Sequence, residues 1–502
     1  MIRAAAFPIR VAVTIAITGT AQLNRLSNVL VKRRAAGGPD ATTAHPPAED
    51  AMDHRDRTAA AAARRESRRL ALPLIFANLG VPALGMVDTA VVGHQPQPTA
   101  LAAVALGSTL VSTLYFLFGF IRMGTTALTA QALGADRPRE MQAALARGLA
   151  AALLIGLVLL AATPLLLAAA TPLLQPPASV EPEFATYVAI RLLAAPAALG
   201  QFALLGWFLG RQNARLPLIV TIATAALNAV LSVTLVLGFG MAAAGVAIAT
   251  VIAEYAGLGL AAALAWPLWR PLAEPLRPRL WLERAPLLRL VRLNLDLFTR
   301  SLLLEAAFLV LQALSARQGE TLLAANAVLM LFFTLAAYVL DAFANAAEVM
   351  VGRAVGTAAP QAIRRAIAAA WQSGAVLAVA LTLAFAAAGP LLIRAVTGIE
   401  PVRAAALAHL PWAAAIPLAS LGAFLWDGVF FGATRTRALR DAMFVALGVY
   451  ALAAAMLVPP LGNHGLWLSF LIFLLARGVL LTLSWIRLGG AASAARTTAD
   501  TP

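Results

Sequence analysis

Cysteine is absent from this chain of 502 residues, lysine occurs once, at Lys32, and only 12% of residues are charged. With no thiol there is no disulfide, no thiolate metal site and no cysteine nucleophile. So few charges exclude an ordinary soluble domain, in which about a quarter of residues are ionisable. No Gly-rich loop ends in Gly-Lys-Ser or Gly-Lys-Thr, which excludes ATP hydrolysis at a P-loop as an energy source. Asp-rich motifs that hold magnesium and pyrophosphate, metal-ligand spacings and nucleophile–base constellations are missing as well. The expectation is a non-enzyme that needs no cofactor and no metal.

What is abundant is apolar. Hydrophobic residues make up 61% of the chain, and the mean hydropathy is +0.82. Apolar stretches of about 20 residues, each able to cross a hydrocarbon core of roughly 30 Å as a helix, recur twelve times. They lie near 71–94, 99–125, 146–174, 184–208, 216–238 and 243–268, then near 290–316, 321–348, 366–396, 404–430, 440–459 and 464–486. The chain therefore reads as an all-α integral membrane protein.

The net charge of +15 comes from arginines in alternate loops rather than on one continuous face. Arg137, Arg139, Arg211, Arg215, Arg353, Arg364, Arg435 and Arg437 all follow even-numbered spans, whereas the loops after odd-numbered spans are nearly bare. A dispersed pattern offers no nucleic-acid footprint. It is the positive-inside pattern, which places both termini in the cytoplasm. The near-exclusive use of arginine and the wealth of alanine fit a GC-rich bacterial genome, so the expected location is a bacterial inner membrane.

The two sets of six spans are copies of each other at an offset of 222 residues. Gln131-Ala-Leu-Gly-Ala135 answers Arg353-Ala-Val-Gly-Thr357, Pro138 answers Pro360, and Gly206-Trp-Phe-Leu-Gly210 answers Gly428-Val-Phe-Phe-Gly432. Arg215 falls on Arg437 and Gly240 on Gly462. Such a duplication implies a two-lobed transporter with its site between the halves. The lobes are expected over 70–270 and 292–487, joined by a cytoplasmic linker at 271–291 and followed by a disordered cytoplasmic tail at 488–502. Residues 1–69 carry a short apolar patch at Val11–Ile17 and a basic cluster at Arg64–Arg69. Cleavage after that patch would leave the cluster outside, against the arginine pattern, so a disordered cytoplasmic extension is expected.

Ionisable side chains inside a span cost at least about 2.5–3.5 kcal/mol each, which makes them the first candidates for function. Asp88 in span 1 is a candidate proton- or cation-binding group, and Pro73 and Pro82 in the same span each remove a backbone donor and permit a bend. Asn228 in span 5, with Thr250 and Glu254 one turn apart in span 6, are candidates to join it. In span 8, Asp341, Asn345 and Glu348 fall on one stripe that must face a polar interior. Glu305 in span 7 and Asp427 in span 10 belong to the same half, so four acids are candidates to converge there. Arg122 and Arg300 are available as positive partners. For each of these groups a structural ion pair or an interfacial position is the plainer alternative.

Several strings in the chain are more specific than hydropathy. Leu70-Ala-Leu-Pro-Leu-Ile-Phe-Ala-Asn78, Val87-Asp-Thr-Ala-Val-Val-Gly-His94, Thr125-Thr-Ala-Leu-Thr-Ala-Gln-Ala-Leu-Gly134 and Ala249-Thr-Val-Ile-Ala-Glu-Tyr255 lie in the first half. Ala325-Asn-Ala-Val-Leu-Met330, Ala337-Tyr-Val-Leu-Asp-Ala-Phe343, Gly432-Ala-Thr-Arg435 and Leu461-Gly-Asn-His-Gly-Leu-Trp467 lie in the second. Over residues 70 to 487 the chain resembles the multidrug and toxic compound extrusion (MATE) family, in particular its DinF-like branch.

That resemblance implies two six-helix lobes around a V-shaped central cavity and cation-driven export by alternating access. It implies a helix-bending role for Pro73 linked to protonation of Asp88. The family's span-5 motif is Asn-x-x-x-Asp, whereas this chain reads Asn228-Ala-Val-Leu-Ser232. Asp88, Asn228 and Thr250 are then the remaining matches to an N-lobe ion site. Glu305 lies within a turn of the acid that relatives with a C-lobe sodium site use, and with Asp341 it stands for coupling in the other lobe. Protons are favoured over sodium as the coupling ion. The expected cargo is a small organic cation or amphiphile, in contact with membrane lipids and with no obligate protein partner. The alternative is a flippase for lipid-linked sugars or lipids. Such a protein calls for a strongly cationic cavity, and the interior here is at least as acidic as basic.

Overall fold

Lipid offers backbone groups no hydrogen bonds, so each apolar span must satisfy its own peptide groups by forming helix. The computed structural model describes residues 47–93, 98–272 and 284–496, and among the described residues the regular elements are all helical. In chain order they are α1 (Pro47–Gly93), α2 (Pro98–Leu117), α3 (Phe120–Gly134), α4 (Pro138–Ala161), α5 (Thr163–Leu174), α6 (Glu181–Leu192), α7 (Ala195–Gly210) and α8 (Arg215–Val233). A π turn, Thr234–Gly238, extends α8 before α9 (Ala242–Trp269). The second half holds α10 (Arg284–Ala316), α11 (Glu320–Gly356), α12 (Pro360–Val396), α13 (Glu400–Gly432), α14 (Thr436–Leu461), α15 (Asn463–Arg487) and the short α16 (Gly490–Arg496).

Among the described residues ten spans have the length and apolarity to cross a membrane, and the bent pair α6–α7 makes an eleventh. The part of α1 from Leu70 onward completes the twelve. Span 2 is α2 and α3, interrupted at Phe118–Gly119, and span 3 is α4 and α5, interrupted at Ala162 just before Pro164. The 45° bend of span 4 falls at Leu193–Ala194, ahead of Pro196, where the missing N–H of a proline frees the ladder to break. Pro138 and Pro360, equivalent in the two copies, both stand in the first turn of their helices. There the absent N–H costs nothing.

The duplication is visible in the packing. A Cβ on Gly206 would strike the Arg122 carbonyl, at 2.5 Å, and one on Gly428 would strike the Ala344 carbonyl, which is the same position in the other copy. Gly210 meets Thr126, and Gly432 meets Glu348, in the same way. Each pair of glycines lets span 4 or span 10 press its backbone onto span 2 or span 8.

Three apolar cores result. One gathers the halves of the spans nearest the arginine-rich loops and runs through both lobes, from Leu70, Leu204 and Trp207 to Leu340, Trp426 and Leu481. The other two lie at the opposite ends. One is built only from the N-lobe around Phe184 and Tyr187, and one only from the C-lobe around Trp467 and Phe470. The lobes are therefore fused at the arginine-rich end and separate at the other, giving a V-shaped interior that opens away from the arginines.

Three expectations at the edges of the lobes change. Helix α1 begins at Pro47, upstream of the span, because Ser67, Leu70 and Ala71 are buried and Glu66 and Arg64 bond to the other lobe. Helix α10 begins at Arg284, within the expected linker. The tail expected to be disordered from 488 onward opens instead with α16, whose Ala491, Ala494 and Ala495 are buried. Small side chains there pack closely enough to fold a segment without a span's hydropathy. Val11–Ile17 and His94 lie outside the described residues.

Candidate functional site

A buried chain of hydrogen bonds crosses the N-lobe from α1 to α9. Asp88 is 8% exposed, Asn228 and Ser232 0% and Thr250 2%. Ser232 and Asn228 stand one turn apart on α8, so both point at the same gap between α1 and α9. The Ser232 hydroxyl lies 2.9 Å from Asp88 Oδ1 and 3.0 Å from Asn228 Oδ1. Asn228 Nδ2 donates to Thr250 Oγ1 at 2.8 Å, and Thr250 Oγ1 donates to the Val246 carbonyl at 2.9 Å. Because the Thr250 proton is committed to Val246, Thr250 must accept from Asn228, which turns the Asn228 carbonyl toward Ser232.

Counting hydrogens then gives the site its chemistry. Ser232 has one proton and two acceptors. With Asp88 ionised, that proton can serve the carboxylate or Asn228, and one acceptor goes without. With Asp88 protonated, the acid donates to Ser232, Ser232 donates to Asn228, and the acceptors of Ser232 and Asn228 in this chain are both filled. An unfilled buried acceptor costs about 1–3 kcal/mol, so the hydrogen bonds between Asp88, Ser232 and Asn228 are better served when Asp88 carries a proton.

Arg191 on α6 exerts a Coulombic pull on both Asp88 and Glu254. Glu254 itself turns to Gln201, whose side-chain amide donates to its carboxylate and, at 2.9 Å, to its backbone carbonyl. It belongs to the interior of the N-lobe but not to the Asp88 chain. Pro73 is half-buried in α1 upstream of Asp88. Pro82 lies within the same helix, with its side chain outside the described residues.

In the other lobe three of the acids gather around arginines and one stands apart. Asp427 on α13 is held between Arg300 on α10 and Arg477 on α15, the latter at 2.8 Å, with all three buried. Asp341 feels Arg122, Arg300 and the Asp427 charge. It accepts from Asn345 at 3.3 Å, and Asn345 accepts from Arg122 of the N-lobe at 3.0 Å. Glu348 is fully buried, and neither of its carboxyl oxygens has a hydrogen-bond partner among the described residues. Glu305 is half-exposed and meets none of these groups. The expected convergence of four acids holds for three of them: Asp341 lies within Coulombic reach of both the arginine-clamped Asp427 and Glu348, with Arg122 and Arg300 among them, while Glu305 stands apart. Two guanidinium groups on one carboxylate make Asp427 a poor place for a metal cation.

The lobes meet below these groups. Gln131 donates to the Gly432 carbonyl at 2.8 Å, and Asn78 donates to the Tyr338 carbonyl at 3.0 Å. Arg353 lies 3.6 Å from Glu66 and donates to Gln212 at 2.9 Å, while Gln212 donates to Glu66 at 2.8 Å. Sequence reasoning missed Arg477, Arg191 and Gln131, and set Ser232 down as a departure. The signals were there: Arg477 and Arg191 are charges inside spans, and Ser232 shares a helix face with Asn228.

A family model described as MatE matches residues 73–234. The DNA damage-inducible protein F of Escherichia coli K12 is 40% identical over 420 residues, covering 83% of this chain and 91% of that protein. A Bradyrhizobium diazoefficiens protein named "Probable multidrug resistance protein NorM" is 31% identical over 325 residues, covering 64% of this chain and 69% of that one. The fold is similar to a crystal structure of a MATE protein in the bent conformation, with a TM-score of 0.78 and 17% identity, over 88% of this chain and 99% of that one.

Proposed function

The chain belongs to the MATE family, on its DinF-like branch, and from that premise we propose that this efflux transporter exports organic cations or amphiphiles in exchange for protons taken up at Asp88. The observation that carries the reading is the Asp88–Ser232–Asn228–Thr250 chain, in which the acceptors of Ser232 and Asn228 are both filled only when Asp88 holds a proton.

The lever is α1. Its far end carries Asp88, while Glu66 and Asn78 on the same helix bond to the C-lobe where the lobes join. It also packs along α8, α11 and α12. A change at Asp88 that shifts α1 therefore moves the seam between the lobes. Protonation stabilises one packing of α1 through the filled chain, and loss of the proton leaves an acceptor empty and favours another. Cargo is expelled if its affinity differs between the two states, because a ligand shifts a conformational balance only through such a difference. By the arginine pattern the fused end faces the cytoplasm of a bacterial inner membrane and the open end faces outward.

The test is transport of a fluorescent cationic dye into the lumen of everted vesicles, with pH and sodium gradients imposed separately. Export driven by the pH gradient and lost in Asp88→Asn is expected. Full pH-driven export by Asp88→Asn would sink the proposal.

A further inference from the structure

A second polar feature lies away from the cavity, at the arginine-rich end of the C-lobe. A cleft of about 450 Å³ opens between the start of α10 and the turn from α13 to α14, lined by Arg292, Arg435, Arg437, Thr434 and Asp296 with Leu288 and Leu293 beside them. Its one acid is already engaged: Asp296 takes Arg440 at 2.6 Å and the Thr436 hydroxyl at 3.1 Å. Among the described residues Arg437 has only a long, exposed contact with Asp441, at 3.8 Å. Arg435 stacks over Trp485 and donates through Nη2 to Ser493 at 3.0 Å, but its Nη1 is buried without a partner among the described residues. Burial pushes the Arg435 guanidinium down from its ordinary value, as expected where a cation loses water and gains no carboxylate.

The repeat shows what this corner looks like without such a purpose. Shifted by 222 residues, Arg435 falls on Asn213, Arg292 on Leu70 and Asp296 on Leu74. Asn213 Oδ1 accepts from the backbone amides of Arg215 at 3.2 Å and Leu216 at 3.3 Å, so the N-lobe helix start is capped by its own chain. In the C-lobe an arginine stands in place of that cap, and the Arg435 side chain does not cap the start of α14. Free amides at a helix start attract anions, and here they open toward arginines.

We propose that this cleft binds the phosphate of an anionic phospholipid headgroup, with the acyl chains lying along α10. The shared chemistry is a phosphate ester anion. The lipid is favoured over free phosphate because Val291, Leu295 and Leu302, on one stripe of α10 running into the membrane from the arginines, are 59%, 61% and 49% exposed. They offer an apolar track below a cationic head site, at the level where the positive-inside orientation puts the cytoplasmic leaflet. The site belongs to the C-lobe alone, since the equivalent N-lobe corner keeps only Arg215, in place of Arg437, and has Leu70 and the capping Asn213 where the C-lobe has Arg292 and Arg435.

The experiment is native mass spectrometry of the full chain, delipidated in detergent and then offered phosphatidylglycerol, phosphatidylethanolamine or inorganic phosphate. Arg435→Asn, which installs the residue carried by the other repeat, and the exposed pair Arg292→Gln/Arg437→Gln are measured beside the unaltered protein. Retention of phosphatidylglycerol well above phosphatidylethanolamine, reduced at least tenfold in both variants, is expected. Equal phosphatidylglycerol binding in the variants overturns the proposal, and so does inorganic phosphate binding as tightly as the lipid. Should Arg435→Asn fail to fold, the double variant decides alone.

Discussion

Gly134 and Gly356, equivalent positions of the two repeats, close on each other's helix: a Cβ on Gly134 would strike the Arg353 carbonyl, and a Cβ on Gly356 would strike the Gln131 carbonyl. Arg353 and Gln131 are themselves equivalent, so the seam between the lobes is a two-fold contact made by one duplicated motif. The absence of two side chains lets the backbones of α3 and α11 touch, and that contact shuts the fused end of the V.

Gly134→Val or Gly356→Val should therefore loosen the seam without unfolding either lobe. Overpacking of this kind costs roughly 1–3 kcal/mol, enough to change the open population by about tenfold or more. The chain has no cysteine of its own, so Ala130→Cys, whose Cβ lies 2.9 Å from where a Gly352 Cβ would stand, can report alone. Its labelling by a maleimide should be slow in the parent and clearly faster in either valine variant.

Ser232 should matter through its hydroxyl. Ser232→Ala removes the donor between Asp88 and Asn228, and is expected to lower both proton-driven dye export and thermal stability, the latter by about 1–3 kcal/mol. Ser232→Thr keeps the hydroxyl and should retain most of the export. Equal export by the alanine and threonine variants would show that the bridge is not used.

Asp427 is expected to act as a structural counter-ion. Asp427→Asn leaves Arg300 and Arg477 buried without a carboxylate, and breaking a buried ion pair from one side costs about 3–5 kcal/mol. A fall in the melting temperature of the purified protein in detergent should accompany any loss of export. Lost export with an unchanged melting temperature would instead make Asp427 part of the transport pathway.

Glu305 separates the two lobes as seats of coupling. Its side chain meets neither Asp341 nor Asp427, so Glu305→Gln should keep pH-driven export at close to the parent level and create no dependence on sodium. A sodium-driven component that disappears in Glu305→Gln would move coupling into the C-lobe.

Much of the architecture was legible in the residues because hydropathy and duplication are collinear properties. Twelve apolar runs and the glycines at an offset of 222 led directly to two six-helix lobes. The polar interior was read less well. Glu305 of span 7 was grouped with the acids of spans 8 and 10, from which it stands apart, because a list of charges does not say which side chains face each other. Arg477, in the last span, turned out to hold Asp427 in place. The extents of α1 and α16 were missed for a related reason, since alanine-rich helix outside a span is stabilised by contacts with other helices rather than by its own hydropathy.

The sequence by itself determined that the chain spans a membrane, that it is duplicated and which loops carry the positive charge. Each of these follows from the transfer free energy of a continuous segment or from a comparison of the chain with itself. Only the tertiary structure decided that Ser232 joins Asp88 to Asn228, that the lobes close through Gly134 and Gly356, and that Arg435 stands at a helix start it does not cap. Asp88 and Ser232 are 144 residues apart. Whether they touch depends on how α1 and α8 pack, and that is settled by the fit of side chains across many helices at once.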